Sequence, residues 1–129
     1  MASIFIKILN KEIPCFKIAE TDNCFAFLDI NPNTKGHTLC IPKKEEDYIF
    51  DLDSKSYNEL LNFSKTIAVA IKQAIPCKRV AISVIGLEVP HAHVHLIPIN
   101  EMRDVGFKNK IKCSNKELEK IALKIKSFL

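Results

Sequence analysis

A chain of 129 residues can bury one hydrophobic core but not two, so a single domain spanning residues 1–129 is expected. With 47% hydrophobic and 26% charged residues it does not have a disordered composition, and no apolar run approaches the length of a bilayer span. A formal net charge of +4, with acids and bases interspersed, mildly favours small anionic ligands and is too weak for a nucleic-acid surface, so neither nucleic acid nor membrane is an expected partner.

From the N-terminus, Ser3 can cap a short helix carrying Ile4, Phe5, Ile8 and Leu9 on an apolar face, ended by Asn10-Lys11. Pro14 opens an extended segment through Cys15, Phe16, Ile18 and Ala19, and Glu20-Thr21-Asp22-Asn23 reads as a hairpin turn. A second strand over Cys24-Phe25-Ala26-Phe27-Leu28 stops at the loop Asp29-Ile30-Asn31-Pro32-Asn33. A third strand, entered through Gly36, covers residues 36–42, followed by a solvated charge run over residues 43–47.

From about Asp53 a long helix begins, in which Tyr57, Leu60, Leu61, Ile67, Ala68, Ile71, Ala74 and Ile75 recur at helical spacing, with Ser56-x-x-Glu59 as a candidate capping box and Pro76 as the stop. Residues 79–85 are rich in β-branched side chains and form a fourth strand, turned by Gly86 into a fifth that contains most of the histidines. Residues 100–113 are polar and basic and read as a loop. Within it, Lys108-Asn109-Lys110-Ile111-Lys112 is either solvated surface or a wall of a partner's pocket. Ser114-x-x-Glu117 caps a last amphipathic helix through Leu118, Ile121, Ile125 and Phe128. This order predicts an α+β fold: a five-stranded, mostly antiparallel sheet with its helices on one face and the other face left for a ligand or partner.

The opening residues lack the apolar run and cleavage site of a signal peptide. The five cysteines (Cys15, Cys24, Cys40, Cys77, Cys113) are odd in number and form no Cys-x-x-Cys pair. That pattern points to reduced thiols packed as small hydrophobes in a cytoplasmic protein, and away from a cysteine-built zinc site.

The chemistry concentrates in Val89-Pro90-His91-Ala92-His93-Val94-His95-Leu96-Ile97-Pro98, which holds three of the four histidines at every second position. On a strand this spacing puts His91, His93 and His95 on one face and Ala92, Val94 and Leu96 on the other. Three readings compete. The clustering can be an accident of a wet strand face. It can be a metal site, with His37 completing the set, although no nearby acid or cysteine supplies an obvious extra ligand or outer support. Or it can serve nucleophilic catalysis at phosphorus, where a neutral imidazole attacks and its neighbours bind oxygens and carry protons.

The stretch His91-Ala92-His93-Val94-His95-Leu96-Ile97 resembles the signature of the histidine triad (HIT) family. The likeness extends through residues 4–14, through Phe25-Ala26-Phe27-Leu28-Asp29-Ile30-Asn31-Pro32, and through Gly36-His37-Thr38-Leu39-Cys40-Ile41-Pro42-Lys43-Lys44. It is nearest to the bacterial Hint-like branch. The resemblance implies a HIT-like fold with a short N-terminal helix, a long helix and a C-terminal helix, a homodimer, and no cofactor. It also implies a phosphoramidase-like hydrolase or nucleotidyl transferase acting at the α-phosphate of purine (AMP) conjugates; dinucleoside polyphosphates belong to the same substrate space.

By motif position, His93 would be the nucleophile, His95 would bind phosphate oxygen and assist the leaving group, and His91 and His37 would orient the site. Asp29 would bind the ribose hydroxyls; on its residue chemistry alone it could equally cap the Asn-Pro turn. Ile4, Phe5, Ile8, Phe27 and Ile30 would line the base pocket, and Ser83 joins the nucleotide-binding set. Two departures stand out. The segment 83–90 is shorter than the family's polar loop and has Leu87 where glutamine is expected, and Ser3 and Ile6 replace the Cys-x-x-Cys with which some members bind zinc, so no metal is expected. The shortened loop keeps alive a non-catalytic nucleotide-binding regulator as the alternative, with a metal-dependent hydrolase on the same histidines behind it.

Overall fold

The computed structural model describes residues 3–129. Helix α1 (Ile4–Leu9) leads into strands β1 (Lys17–Glu20), β2 (Cys24–Leu28) and β3 (Thr38–Pro42), then the long helix α2 (Ser54–Ala74), strands β4 (Arg79–Ser83) and β5 (Val94–Ile99), and helix α3 (Asn115–Lys126). The five strands form one antiparallel sheet in the order β1-β2-β3-β5-β4, so the fold is α+β. No described helix is long and apolar enough to cross a membrane.

Side-chain alternation decides what each face holds. Cys24, Ala26 and Leu28 of β2, Cys40 of β3, and Val94 and Leu96 of β5 face α2 and α3, and join Leu60, Ile67, Ile71, Leu118 and Ile125 in the larger core. The small Cys24, Ala26 and Cys40 let the helices approach the sheet, and each large aliphatic side chain buried there contributes about 1.5–3 kcal/mol. Ser64 is buried on the same helix face, its hydroxyl donating to the Leu60 carbonyl at 2.8 Å, so it leaves no polar group unpaired. All five cysteines are free thiols, with Cys24 and Cys40 in this core.

The opposite face is not bare. Phe25 and Phe27 of β2 with Leu39 and Ile41 of β3 pack under Phe5 and Ile8 of α1 in a second, smaller core. The expectation that all helices share one face is therefore corrected for α1. Its two-sidedness was visible in β2, which alternates small and large apolar residues and so has no polar face to give to water.

Several boundaries also differ. The capping box at Ser56 is not used: Asp53 is the N-cap, its Oδ1 accepting from the Ser56 N–H at 2.7 Å, a better acceptor one turn earlier. Helix α3 is capped as expected, with Ser114 and Glu117 satisfying each other's backbone donors. Strand β4 ends at Ser83 rather than at residue 85, and β5 begins at Val94, after His91 and His93. The β3–β5 ladder runs Thr38↔Leu96, Leu39↔His95, Cys40↔Val94 and stops as Pro42 is approached, a residue with no N–H to extend it. Beyond that point the Ala92 N–H donates to the Glu46 carbonyl at 2.7 Å, and His91 turns back on Val89. The loop over residues 100–113 contains a 3₁₀ turn, Met102–Val105.

Candidate active site

Sheet register assembles the first part of the site. Directly paired residues share a face, so Phe27, Leu39, His95 and Ser83 form a row across the sheet on the α1 side. His37 enters just before β3 through Gly36, whose φ of +94° suits glycine and whose added Cβ would stand 2.9 Å from Ile75 Cγ1. The Asp29 N–H donates to the His37 carbonyl at 3.0 Å, which brings the loop after β2 to the same place. Helix α1 lays Phe5 edge-on against His93 and His91, with ring centroids 5.0 and 5.8 Å apart.

These elements wall a cleft of about 550 Å³. Of the residues singled out from sequence, Ile4, Phe5, Ile8, Phe27, Asp29, Ile30, His93 and His95 line it. His37 and His91 are fully buried behind it, and Ser83, though on the same sheet face as His95, is not in its wall. The expected open row of imidazoles is corrected as well: His93 and His95 are only 6% and 8% exposed, because Phe5 of α1 packs on His93 and Phe107 packs on His95. Both rings nevertheless line the cleft, and their Nε2 atoms have no protein partner and are not sealed from it.

Hydrogen bonds to the backbone fix where the ring protons sit, since an amide only donates and a carbonyl only accepts. His93 Nδ1 lies 2.7 Å from the His91 carbonyl, so it carries the proton and Nε2 keeps a free lone pair. The Asn33 N–H donates to His37 Nδ1 at 3.0 Å, which leaves the proton of a neutral His37 on Nε2. That proton is donated to His95 Nδ1 at 3.0 Å, so His95 in turn presents Nε2–H. Side by side, at a ring distance of 4.8 Å, stand one imidazole offering a lone pair and one offering a donor. His91 Nε2 donates to the Pro42 carbonyl at 2.8 Å and fixes the carbonyl-bearing turn that holds His93.

The rings are held neutral. Burial lowers the pKa of His37 to about 3, helped by His95, Lys110 and His93; burial, His93 and Lys110 lower His95 to about 4; and burial outweighs the His91 carbonyl in lowering His93. Asp29 is shifted upward by burial. Its Oδ1 accepts from the Asn31 N–H at 2.8 Å, so the turn-capping role is realised, while Oδ2 stays unbonded 3.7 Å from His37 Nε2.

Asp29, His37 and His95 put three possible metal-ligand atoms within 4.8 Å of one another. The proton arrangement fits an ion there poorly. His37 would have to coordinate through Nε2, which bears its proton, and moving that proton to Nδ1 would set it against the Asn33 N–H. The hydrogen-bonded relay runs from the Asn33 N–H through His37 to His95, with Asp29 beside it and unbonded to either ring.

Sequence reasoning missed the wall contributed by Phe107 and Lys110. Phe107 packs on His95 at a ring distance of 4.9 Å, and Lys110 sits over Phe107, Nζ 4.6 Å from its centroid. Of the basic stretch, Lys110 thus lines the chain's own cleft. The wall's only sequence signal was one aromatic in a polar loop. Cys15, Leu39 and residues 85–89 are also in the lining.

Comparison with known proteins agrees with this architecture. The HIT domain family matches residues 10–102. An uncharacterised HIT-like protein of Borreliella burgdorferi is 37% identical over 131 residues, covering 95% of this chain and 94% of its own. The adenosine 5'-monophosphoramidase of Saccharomyces cerevisiae is 38% identical over 98 residues, covering 75% of this chain and 62% of its own. A Hit-like protein from Bartonella henselae superposes with a TM-score of 0.87 at 33% identity, covering 98% of this chain and 96% of its own.

Proposed function

The chain belongs to the HIT family, and from that membership we propose that it is a metal-independent hydrolase or nucleotidyl transferase acting at the α-phosphate of AMP conjugates. The observation that carries the reading is the bare Nε2 of a neutral His93 at the edge of an apolar cleft, its Nδ1–H tied to the His91 carbonyl. In the proposed first step this lone pair attacks phosphorus, a P–N bond forms, and the bond to the leaving atom breaks, its electron pair departing with that atom, which takes up a proton from water when it is an amine nitrogen. The proton on Nδ1 stays on the ring, and the positive charge that develops there faces the carbonyl. Water then cleaves the nucleotidyl-histidine to release AMP.

His95 Nε2–H would donate a hydrogen bond to a phosphoryl oxygen where negative charge grows. Asp29 Oδ2 would accept from ribose hydroxyls, and Ile4, Phe5, Ile8, Phe27 and Ile30 would hold the base. The phosphoramidase named among the relatives supports the AMP moiety. The expected result is AMP release from adenosine 5'-phosphoramidate in the presence of chelator, with the acid limb of kcat/KM below pH 6.5. Attack needs neutral His93 and its pKa is depressed, so activity persists to lower pH than a free imidazole would allow. Loss of turnover on chelation, or an acid limb above 6.5, would contradict the reading.

A homodimer is proposed along β4. Of the two sheet edges, β1 carries Lys17 and Glu20, whereas β4 and its extension expose Ile82 (59% exposed), Val84 and Ile85. An unpaired apolar edge is a pairing template, and a charged one is protected. Replacing Ile82 with Lys is expected to reduce the particle from two chain masses to one in light scattering; an unchanged mass would move the interface elsewhere.

A further inference from the structure

We infer that the protein has a second anion site, apart from the histidine cleft, which takes a free diphosphate-class anion between the loop after β2 and the loop before α3. The site needs no turnover in the cleft and goes beyond the hydrolase reading.

Its walls are two loops that only the fold brings together. One holds Asn33, Thr34 and Lys35, and the other holds Arg103, Asp104 and residues 109–111. Two hydrogen bonds clasp them. The Ile111 N–H donates to the Pro32 carbonyl at 3.0 Å, and Asn33 Nδ2 donates to the Asp104 carbonyl, 71 residues away, at 3.1 Å. Asn33 is buried, so its bond is sheltered from competing water, and the loops enclose a cavity of about 430 Å³.

Charge then says what the cavity holds. Lys35 stands on one wall, and Arg103 and Lys110 stand on the other. Asp104 is the one acid in the lining, and its Oδ2 is already taken by the Asn100 and Glu101 N–H groups at 2.8 and 3.1 Å. Among the described residues no carboxylate pairs with Lys110. Arg103 gives Nε to Glu101 at 2.8 Å, which leaves its two terminal nitrogens for a ligand. Lys35 reaches Glu117 at 3.4 Å, in a pair exposed on both sides and so weakly held. Three like charges facing one cavity repel one another until an anion enters.

Their placement on opposing walls suits an anion charged at both ends. The cavity is larger than one phosphate fills. A diphosphate can meet Lys35 with one phosphoryl group and the planar Arg103 fork with the other. No aromatic ring lines the cavity, and Ile111 is its one large apolar side chain, so a nucleoside would find no base pocket there. The histidine cleft differs in this respect, with Phe5 and Phe27 in its wall.

The test is a titration of the full-length protein with pyrophosphate at low ionic strength, followed by backbone-amide NMR. The amides of Lys35, Asn109 and Ile111 are expected to shift saturably at about 1 mM or below, equally with and without AMP. K35A and R103A should each weaken binding about 3- to 10-fold, and the double variant more, as expected for partly exposed charge-assisted contacts. Both residues are exposed in loops, so neither change threatens the fold. K65A, which removes the same charge from the exposed side of α2, should leave binding unchanged. Inorganic phosphate should bind more weakly than pyrophosphate. Shifts confined to cleft amides and abolished by AMP, or an equal loss in K65A, overturn the second site. Phosphate binding as tightly as pyrophosphate overturns the diphosphate class, and tighter binding of ADP at Lys35 overturns the free anion. A protein that fails to bind AMP counts against the hydrolase reading and leaves this test intact.

Discussion

A His93→Ala protein is expected to fold, to bind AMP, and to release AMP from adenosine 5'-phosphoramidate at least roughly 10⁴-fold more slowly than the native chain. Neither of the neighbouring imidazoles nor the thiol in the cleft wall is placed to replace it. His95 presents an N–H at Nε2, not a lone pair, and its Nδ1 is engaged by His37. His91 is fully buried with Nε2 on the Pro42 carbonyl, and Cys15 is a thiol whose pKa burial raises. The check is a rapid quench into alkali, where a phosphorus–nitrogen bond to histidine survives. Labelled nucleotide should be retained on the native protein and absent from the variant. A variant that keeps turnover removes His93 as the nucleophile and returns the site to a binding role, the alternative left open by the short loop before the histidines.

The largest effect on stability is expected at Leu60, fully buried on α2 between the sheet and α3. Leu60→Ala removes three carbons from a site whose neighbours are themselves pinned, by strand pairing on one side and by the capped α3 on the other. Collapse into the space is therefore limited, and a loss of about 3–5 kcal/mol follows, toward the upper end for such truncations. For a chain of this length that is roughly 10 °C or more in Tm. Urea unfolding should show the midpoint falling with the slope unchanged. A loss below about 1 kcal/mol would mean that the helix is packed against the sheet less tightly than the burial of Leu60, Ile67 and Ile71 requires.

How much of this was readable in the chain varies from residue to residue. The turn at Asp29-Ile30-Asn31-Pro32, the cap at Ser114 and the periodicity of α2 are local, determined by residues within a few positions of one another, and each is found where composition put it. The cap of α2 was misplaced because Asp53 and Ser56 are both good N-caps, and only the path of the incoming backbone chooses between them. The histidine strand was drawn too long because its end depends on Pro42, a partner about fifty residues away, and not on its own alternation. Phe107 and Lys110 could not be assigned to the cleft, since no periodicity links a polar loop to a ring on β5.

The identity of the chemistry belongs to the sequence alone: four histidines and one aspartate, three of the imidazoles two residues apart, can do little else near neutral pH than exchange protons, bind metal or attack an electrophile. Which of these they can do was decided in three dimensions. Each ring has two nitrogens, and the proton's place on it is set by the single backbone group it meets: the His91 carbonyl for His93, and the Asn33 amide, through His37, for His95. The His37–His95 contact joins residues 58 apart, and it forms only because β3 and β5 are neighbours in the sheet. That pairing makes His95 a donor at Nε2, while the His91 carbonyl leaves His93 a bare lone pair, because hydrogen-bond direction is a property of the folded neighbourhood and not of the side chain.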